Sequence, residues 1–211
     1  GPREHSALQG RYPAGEGVFT ISYSNVDLQD DSFVPKPRIF PKGQKAFTLI
    51  SVGTFSQLYK AQDVLLEAVA RVLNMGGDIR LVLVGDGRFR PALENRAFRL
   101  GLSERIRFAG QVTAGPPVWA ELDHADMFVL ASRAEGLPRA MIEAMARALP
   151  CVGSTVGGIP DLLKTEDLVP VGDAGALAEK LSEVIGDTGR MTAMSARNLE
   201  RSLDFKEDRV R

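Results

Sequence analysis

Met127-Phe128-Val129-Leu130-Ala131-Ser132-Arg133-Ala134-Glu135-Gly136-Leu137-Pro138-Arg139-Ala140-Met141-Ile142-Glu143 is the stretch whose reading decides the fold. Met127 to Leu130 form an apolar run that reads as a buried strand. The chain then turns through Gly136-Leu137-Pro138 and enters a helix whose first residue is Pro138, since a first helical position tolerates the missing N–H. A helix beginning there faces the carboxyl end of the strand, which is where ligands bind in open α/β sheets. Free N–H groups and the helix dipole make that spot attractive to a phosphate or another anion. Glu143 follows further along the helix, roughly 7 to 8 Å from the anion-facing end at about 1.5 Å rise per residue. A ribose lies about that far from its diphosphate. The spacing therefore predicts a clamp, with diphosphate on the helix N-terminus, Glu143 on ribose hydroxyls and Glu135 facing the group beyond the far phosphate. A second reading uses the same residues differently: Arg139, Glu143 and Arg147 fall at i, i+4 and i+8, the spacing of a solvated salt-bridge ladder.

Outward from this stretch, strand and helix alternate. Phe47 to Val52 reads as a central strand, and Ala61 to Leu73 as a helix with Leu65, Ala68, Val69, Val72 and Leu73 on one face. Then come a strand Arg80 to Val84, a helix Pro91 to Leu100, a strand Arg105 to Ala109 and a short helix Pro116 to Leu122. After the helix Pro138 to Leu149 follow a short strand Cys151 to Gly153, a short helix near Asp161, a strand near Leu168-Val169 and a helix Ala174 to Ile185. This order predicts an α/β, Rossmann-like parallel sheet with helices on both faces. Residues 1–45 differ in character: Pro35, Pro37 and Pro41 among Lys36, Arg38, Lys42 and Lys45 are unsuited to helix and read as a solvated linker. The expected division is 1–45 as linker and tail of a missing N-terminal domain, and 46–211 as the folded domain.

Composition excludes several function classes. With 44% hydrophobic and 25% charged residues, the 211-residue chain can bury a substantial core. A net charge of -1 leaves no electrostatic footprint for nucleic acid, and no apolar run approaches a membrane span. The single cysteine, Cys151, cannot form an internal disulfide and reads as a buried structural thiol. The two histidines, His5 and His124, have no partners at metal-ligand spacing, so no metal site is expected. Trp119 and Phe128 read as packing residues. The dinucleotide fingerprint Gly-x-Gly-x-x-Gly is absent after the first strand, where Gly53 is followed by Thr54 and Phe55. Without a recognisable signal peptide, the expected location is cytoplasmic.

The string Glu135-Gly136-Leu137-Pro138-Arg139-Ala140-Met141-Ile142-Glu143, continued through Gly157-Gly158-Ile159-Pro160, resembles the E-x7-E region of glycosyltransferase family 4, retaining enzymes of the GT-B fold. The similarity covers roughly residues 46 to 186. It implies that the chain is the C-terminal, donor-binding domain, one half of a GT-B architecture, with the nucleotide-sugar donor as ligand. It further implies Glu135 as the catalytic-site carboxylate at the donor sugar, assisted by Gly136, with Glu143 on the ribose. The diphosphate falls to Lys60, in the loop that begins at Gly53, and to the backbone of Leu137, Pro138 and Arg139. Val112 takes the position that contacts the nucleobase through its backbone. Where the family commonly has an arginine just after the glycine, Thr54 stands here, so only the lysine carries over. Gly85-Asp86-Gly87 also matches a family motif, although Asp-Gly is equally an ordinary turn.

On that resemblance the expected function is sugar transfer from a nucleotide-diphosphate sugar to an acceptor held by the missing N-terminal domain, with no metal and no cofactor. The helix dipole and basic side chains then offset the leaving charge. An isolated donor half binds nucleotide without transferring sugar. Membrane association, at the inner face, is left to surfaces of the missing domain. Two alternatives share the clamp: a GT-B-type nucleotide-sugar epimerase and a degenerate, non-catalytic binding partner. A receiver-type regulatory domain is disfavoured, because Ser51 to Lys60 holds no carboxylate.

Overall fold

The computed structural model describes residues 26–207. The first 25 residues of the expected linker, His5 included, lie outside them. Six strands form one sheet: β1 (Ala46–Val52), β2 (Asp78–Val84), β3 (Ile106–Gly110), β4 (Met127–Leu130), β5 (Cys151–Ser154) and β6 (Leu168–Val169). Their order is β3-β2-β1-β4-β5-β6, and every neighbouring pair is parallel. The helices are α1 (Gln62–Asn74), α2 (Arg90–Arg99), α3 (Pro116–Asp123), α4 (Arg139–Ala146), α5 (Ile159–Leu162), α6 (Ala174–Ile185) and α7 (Thr188–Ser202). This is the expected α/β Rossmann-like sheet. Connections reverse direction between β1 and β4, so the crevice at the carboxyl ends of those two strands is the topological switch point.

Alternation along each strand divides the core in two. Phe47, Leu49, Leu81, Leu83, Met127 and Val129 face α1 and α6, whereas Ile50, Val82, Val84, Phe128 and Leu130 face α3, α4 and α5. The eight-residue α4 is far too short to be stable alone. Met141, Ile142 and Met145 hold it, all fully buried, each contributing about 2 kcal/mol.

Helix α4 begins at Arg139 rather than Pro138. Pro138 is its N-cap, extended at φ -78°, ψ 97°, with its carbonyl accepting from Met141 (3.0 Å) and Ile142 (3.2 Å). It also ends three residues before Leu149. Ala148 adopts a left-handed φ of 58°, and the Ala148 and Leu149 N–H groups return to the Met145 and Ala144 carbonyls in a Schellman turn.

Two further differences concern the flanks. The sequence reading stopped its helices at Ile185, yet α7 follows with Asp187 as N-cap, its side chain accepting from the Arg190 N–H at 2.9 Å. Most of its buried face is polar, with Ser195, Asn198 and Ser202 beside Met191 and Met194, so hydrophobic periodicity does not find it. The proline-rich stretch is also not solvated along its length. Kept extended by its prolines, it turns alternate residues inward: the Arg38 N–H donates to Ser195 Oγ and the Phe40 N–H to Thr192 Oγ1, while Ile39 is 83% exposed.

Candidate functional site

Two loops face each other across the switch point. After β1, Gly53 donates to the Val84 carbonyl, Thr54 Oγ1 bonds Ser56, and a short turn at Leu58–Lys60 leads to Ala61 in a left-handed conformation (φ 53°) at the start of α1. After β4, the chain runs from Ser132 to Pro138 and into α4. Arg133 joins the loops from one side, its guanidinium forking onto Asp63 (2.8 Å to each oxygen) and its N–H bonding the Tyr59 carbonyl. That fork holds the Asp63 carboxyl below the ordinary range even though desolvation opposes it. Lys60 joins them in the middle: its Nζ lies 2.6 Å from Glu135 Oε1. Gly53 leaves room for the stem of Lys60, since a Cβ there would stand 3.2 Å from Lys60 Cγ. Ser132 Oγ donates to the same Glu135 oxygen at 2.6 Å.

Glycines set how closely neighbouring loops approach. Gly157 (φ 56°) lies against the Glu135 carbonyl so tightly that any side chain would collide with it, and the Gly158 N–H donates to the Gly136 carbonyl at 2.9 Å. Gly85 (φ 142°) is equally tight against the Gly53 carbonyl, while Asp86 accepts from the Phe55 N–H at 2.9 Å. The Gly85-Asp86-Gly87 turn thus shapes the first loop by backbone packing. Gly136 differs, with open space on its side-chain side.

The mouth of α4 is rich in unspent donors. Among the described residues, no hydrogen bond is made by the backbone N–H groups of Gly136, Leu137, Arg139 and Ala140, and no side chain caps the helix. Leu137 and Ala140 pack partly against the core on the α3–α5 side of the sheet, as does Val112 beyond β3. No bond joins Val112 to the Lys60–Glu135 pair. Glu143 is 5% exposed and accepts from Arg139 Nε at 3.0 Å. The salt-bridge ladder stops at that rung, because Arg147 turns to Asp123 (2.8 and 2.5 Å) and to the Ser32 carbonyl. Glu143 thus sits buried one turn behind the open amides, with Arg139 as its ion-pair partner.

Cys151 is fully buried, and desolvation pushes its thiol far above the ordinary value, in keeping with a structural role. A cavity of about 320 Å³ lined by Arg80, Arg105, Arg107 and His124 lies toward the amino ends of β1 to β3, away from the site. Sequence reasoning missed Ser132, Ser154 and Gln62 around the loops. Gln62, 2% exposed, donates to the Thr54 carbonyl at 3.1 Å. A lone buried serine or glutamine carries no pattern, and a polar residue entering a buried strand end was the one available signal.

Comparison with known proteins matches residues 46–187 to the family described as glycosyl transferases group 1. Among curated relatives, N-acetyl-alpha-D-glucosaminyl L-malate synthase of Bacillus anthracis is 31% identical over 66% of this chain and 36% of its own length. The lipopolysaccharide core biosynthesis glycosyltransferase LpsE of Rhizobium meliloti is 31% identical over 72% and 43% respectively. The chain therefore spans less than half the length of these relatives. Among solved structures, Anabaena HepE in complex with UDP and glucose superposes with a TM-score of 0.71 at 23% identity, covering 79% of this chain and 46% of that one. That likeness confirms the α/β Rossmann-like fold.

Proposed function

Because this chain belongs to the glycosyl transferases group 1 family, we propose that it is the donor-binding half of a retaining, family 4-like glycosyltransferase. The observation that carries this reading is the assembled crevice: Lys60 and Glu135 meet at 2.6 Å across the β1–β4 switch point, beside four unbonded backbone N–H groups at the start of α4. A nucleoside diphosphate fits that set. Its phosphates take the Gly136, Leu137, Arg139 and Ala140 amides and the Lys60 ammonium, Thr54 adding no charge. Its ribose hydroxyls donate to Glu143, and the hydroxyls of the donor sugar reach Glu135. Relatives named as glycosyltransferases and neighbours solved with UDP support the donor class.

In the transfer, the bond between the anomeric carbon and the diphosphate oxygen breaks, and the nucleoside diphosphate leaves with the electron pair. The anomeric carbon bonds the acceptor oxygen, which releases its proton. Helix amides and Lys60 stabilise the developing phosphate charge in place, so no metal or cofactor is required. The acceptor belongs to a further domain, and the isolated half binds donor without turning it over.

Thermal melts in EDTA with UDP, GDP and ADP test this reading. At a hundred times its dissociation constant, the correct nucleotide adds about 2.7 kcal/mol. We expect one nucleotide to stabilise selectively, with the gain lost in Glu143→Ala. Absence of any shift without metal, or a shift untouched by Glu143→Ala, contradicts it.

A further inference from the structure

We propose that Ser132 is a positioning residue for the donor-sugar carboxylate: it holds Glu135 by one oxygen so that Glu135 stays aimed at the sugar when Lys60 leaves it for the diphosphate. This rests on the donor-binding reading above. Glu135 Oε1 receives two hydrogen bonds, from Lys60 Nζ (2.6 Å) and Ser132 Oγ (2.6 Å), while Oε2 makes none among the described residues. The two donors differ in kind. Lys60 sits on a four-carbon stem in a loop, with its side chain 17% exposed, and an ammonium is free to follow a stronger anion. Ser132 is fully buried at the end of β4, and its carbonyl accepts from the hydroxyl of Ser154 at 2.6 Å, itself 1% exposed at the end of β5. One donor can move and the other cannot.

A bound diphosphate carries more negative charge than one carboxylate and draws the Lys60 ammonium. Glu135, whose backbone is held by Gly157 but whose side chain is held, among the described residues, only by these two donors, would then lose its cation and its rotamer together. Ser132 prevents that second loss. Its short charge-assisted bond keeps Oε1 in place and leaves Oε2 to accept from sugar hydroxyls. Nucleotide binding alone does not use this bond, whereas the extra affinity contributed by the sugar does.

The test is calorimetric titration in EDTA of UDP, GDP, UDP-glucose, UDP-N-acetylglucosamine and GDP-mannose into wild type, Ser132→Ala and Ser132→Cys. Ser202→Ala, which removes another fully buried hydroxyl remote from the site, controls for general destabilisation. The cysteine variant, nearly the same size and a weak donor, serves if alanine does not fold. In Ser132→Ala the preference for the nucleotide-sugar over its nucleotide should fall about tenfold, one charge-assisted hydrogen bond, with nucleotide affinity held within about twofold. Ser132→Cys should fall between, and Ser202→Ala should keep the wild-type ratio. An unchanged ratio in Ser132→Ala, or equal weakening of both ligands, overturns the positioning role and leaves the donor reading standing. A wild type that binds none of the nucleotides overturns both.

Discussion

The two ends of α4 are treated in opposite ways. At its carboxyl end nearly every acceptor is taken. The Arg38 guanidinium donates to the carbonyls of Arg147 (3.0 Å), Ala125 (2.5 Å) and Leu122 (3.2 Å), so that one side chain closes the ends of α3 and α4 together. The Val34 N–H reaches the Ala146 carbonyl, Ser195 Oγ the Ala148 carbonyl and Asn198 Nδ2 the Leu149 carbonyl. At the amino end the amides of Arg139 and Ala140 are left open, although α6 and α7 each have an aspartate cap. Among the described residues, only α6 and α7 carry such a cap, and α1, α2, α3 and α5 share its absence with α4. Leaving this one uncapped costs about 1 kcal/mol, which the closed end and the buried face supply, and the open amides are what the proposed donor reading assigns to the diphosphate.

The largest effect should come from breaking the closed end. Arg38→Ala strips a partly buried cation from four carbonyls, that of Asp123 included, and should lower the stability of the domain by about 3 kcal/mol in urea unfolding. Burial already pulls the Arg38 pKa below its usual value, with Asp123 opposing. Corrupting the open end acts on the ligand instead. A Cβ at Gly136 would have no non-neighbouring atom within 4 Å, so Gly136→Asp should leave the melting temperature nearly unchanged. Its carboxylate beside the amides should weaken nucleotide binding by about 2 kcal/mol, roughly thirtyfold. The smallest effect improves the closed end further: Ala148→Gly relieves a left-handed alanine at the cost of one buried methyl, for a net gain of about 0.5 kcal/mol in the same unfolding assay. Were Arg38→Ala to abolish nucleotide binding without loss of stability, the division of labour between the ends would be wrong.

What could be read from sequence was what repeats or follows a period. The apolar runs at Phe47 and Met127 and the amphipathic Ala61 to Leu73 gave the parallel sheet and its carboxyl rim, and the Glu135-to-Glu143 spacing marked the loop and helix that line the crevice. Features made by partners distant in sequence escaped. Helix α7 hides because Ser195 and Asn198 serve carbonyls 47 and 49 residues away. Arg38 looks like one basic residue in a linker until the ends of α3 and α4 are brought to it. Pro138 fits a first helical residue by composition, yet its extended backbone places it one position outside. Arg147 matches the ladder spacing around Glu143, but Asp123 arrives from another helix and takes it.

The central claim is that the open amides at the carboxyl rim, between the loops after β1 and β4, are where a nucleoside diphosphate binds. Amide chemical shifts of the ¹⁵N-labelled domain, followed through a titration with UDP and GDP in EDTA, test it residue by residue. The account predicts the largest, saturating changes at Gly136, Leu137, Arg139 and Ala140, with smaller ones from Gly53 to Lys60. Changes centred instead on Arg80, Arg105 and Arg107, at the opposite end of the sheet, would contradict it.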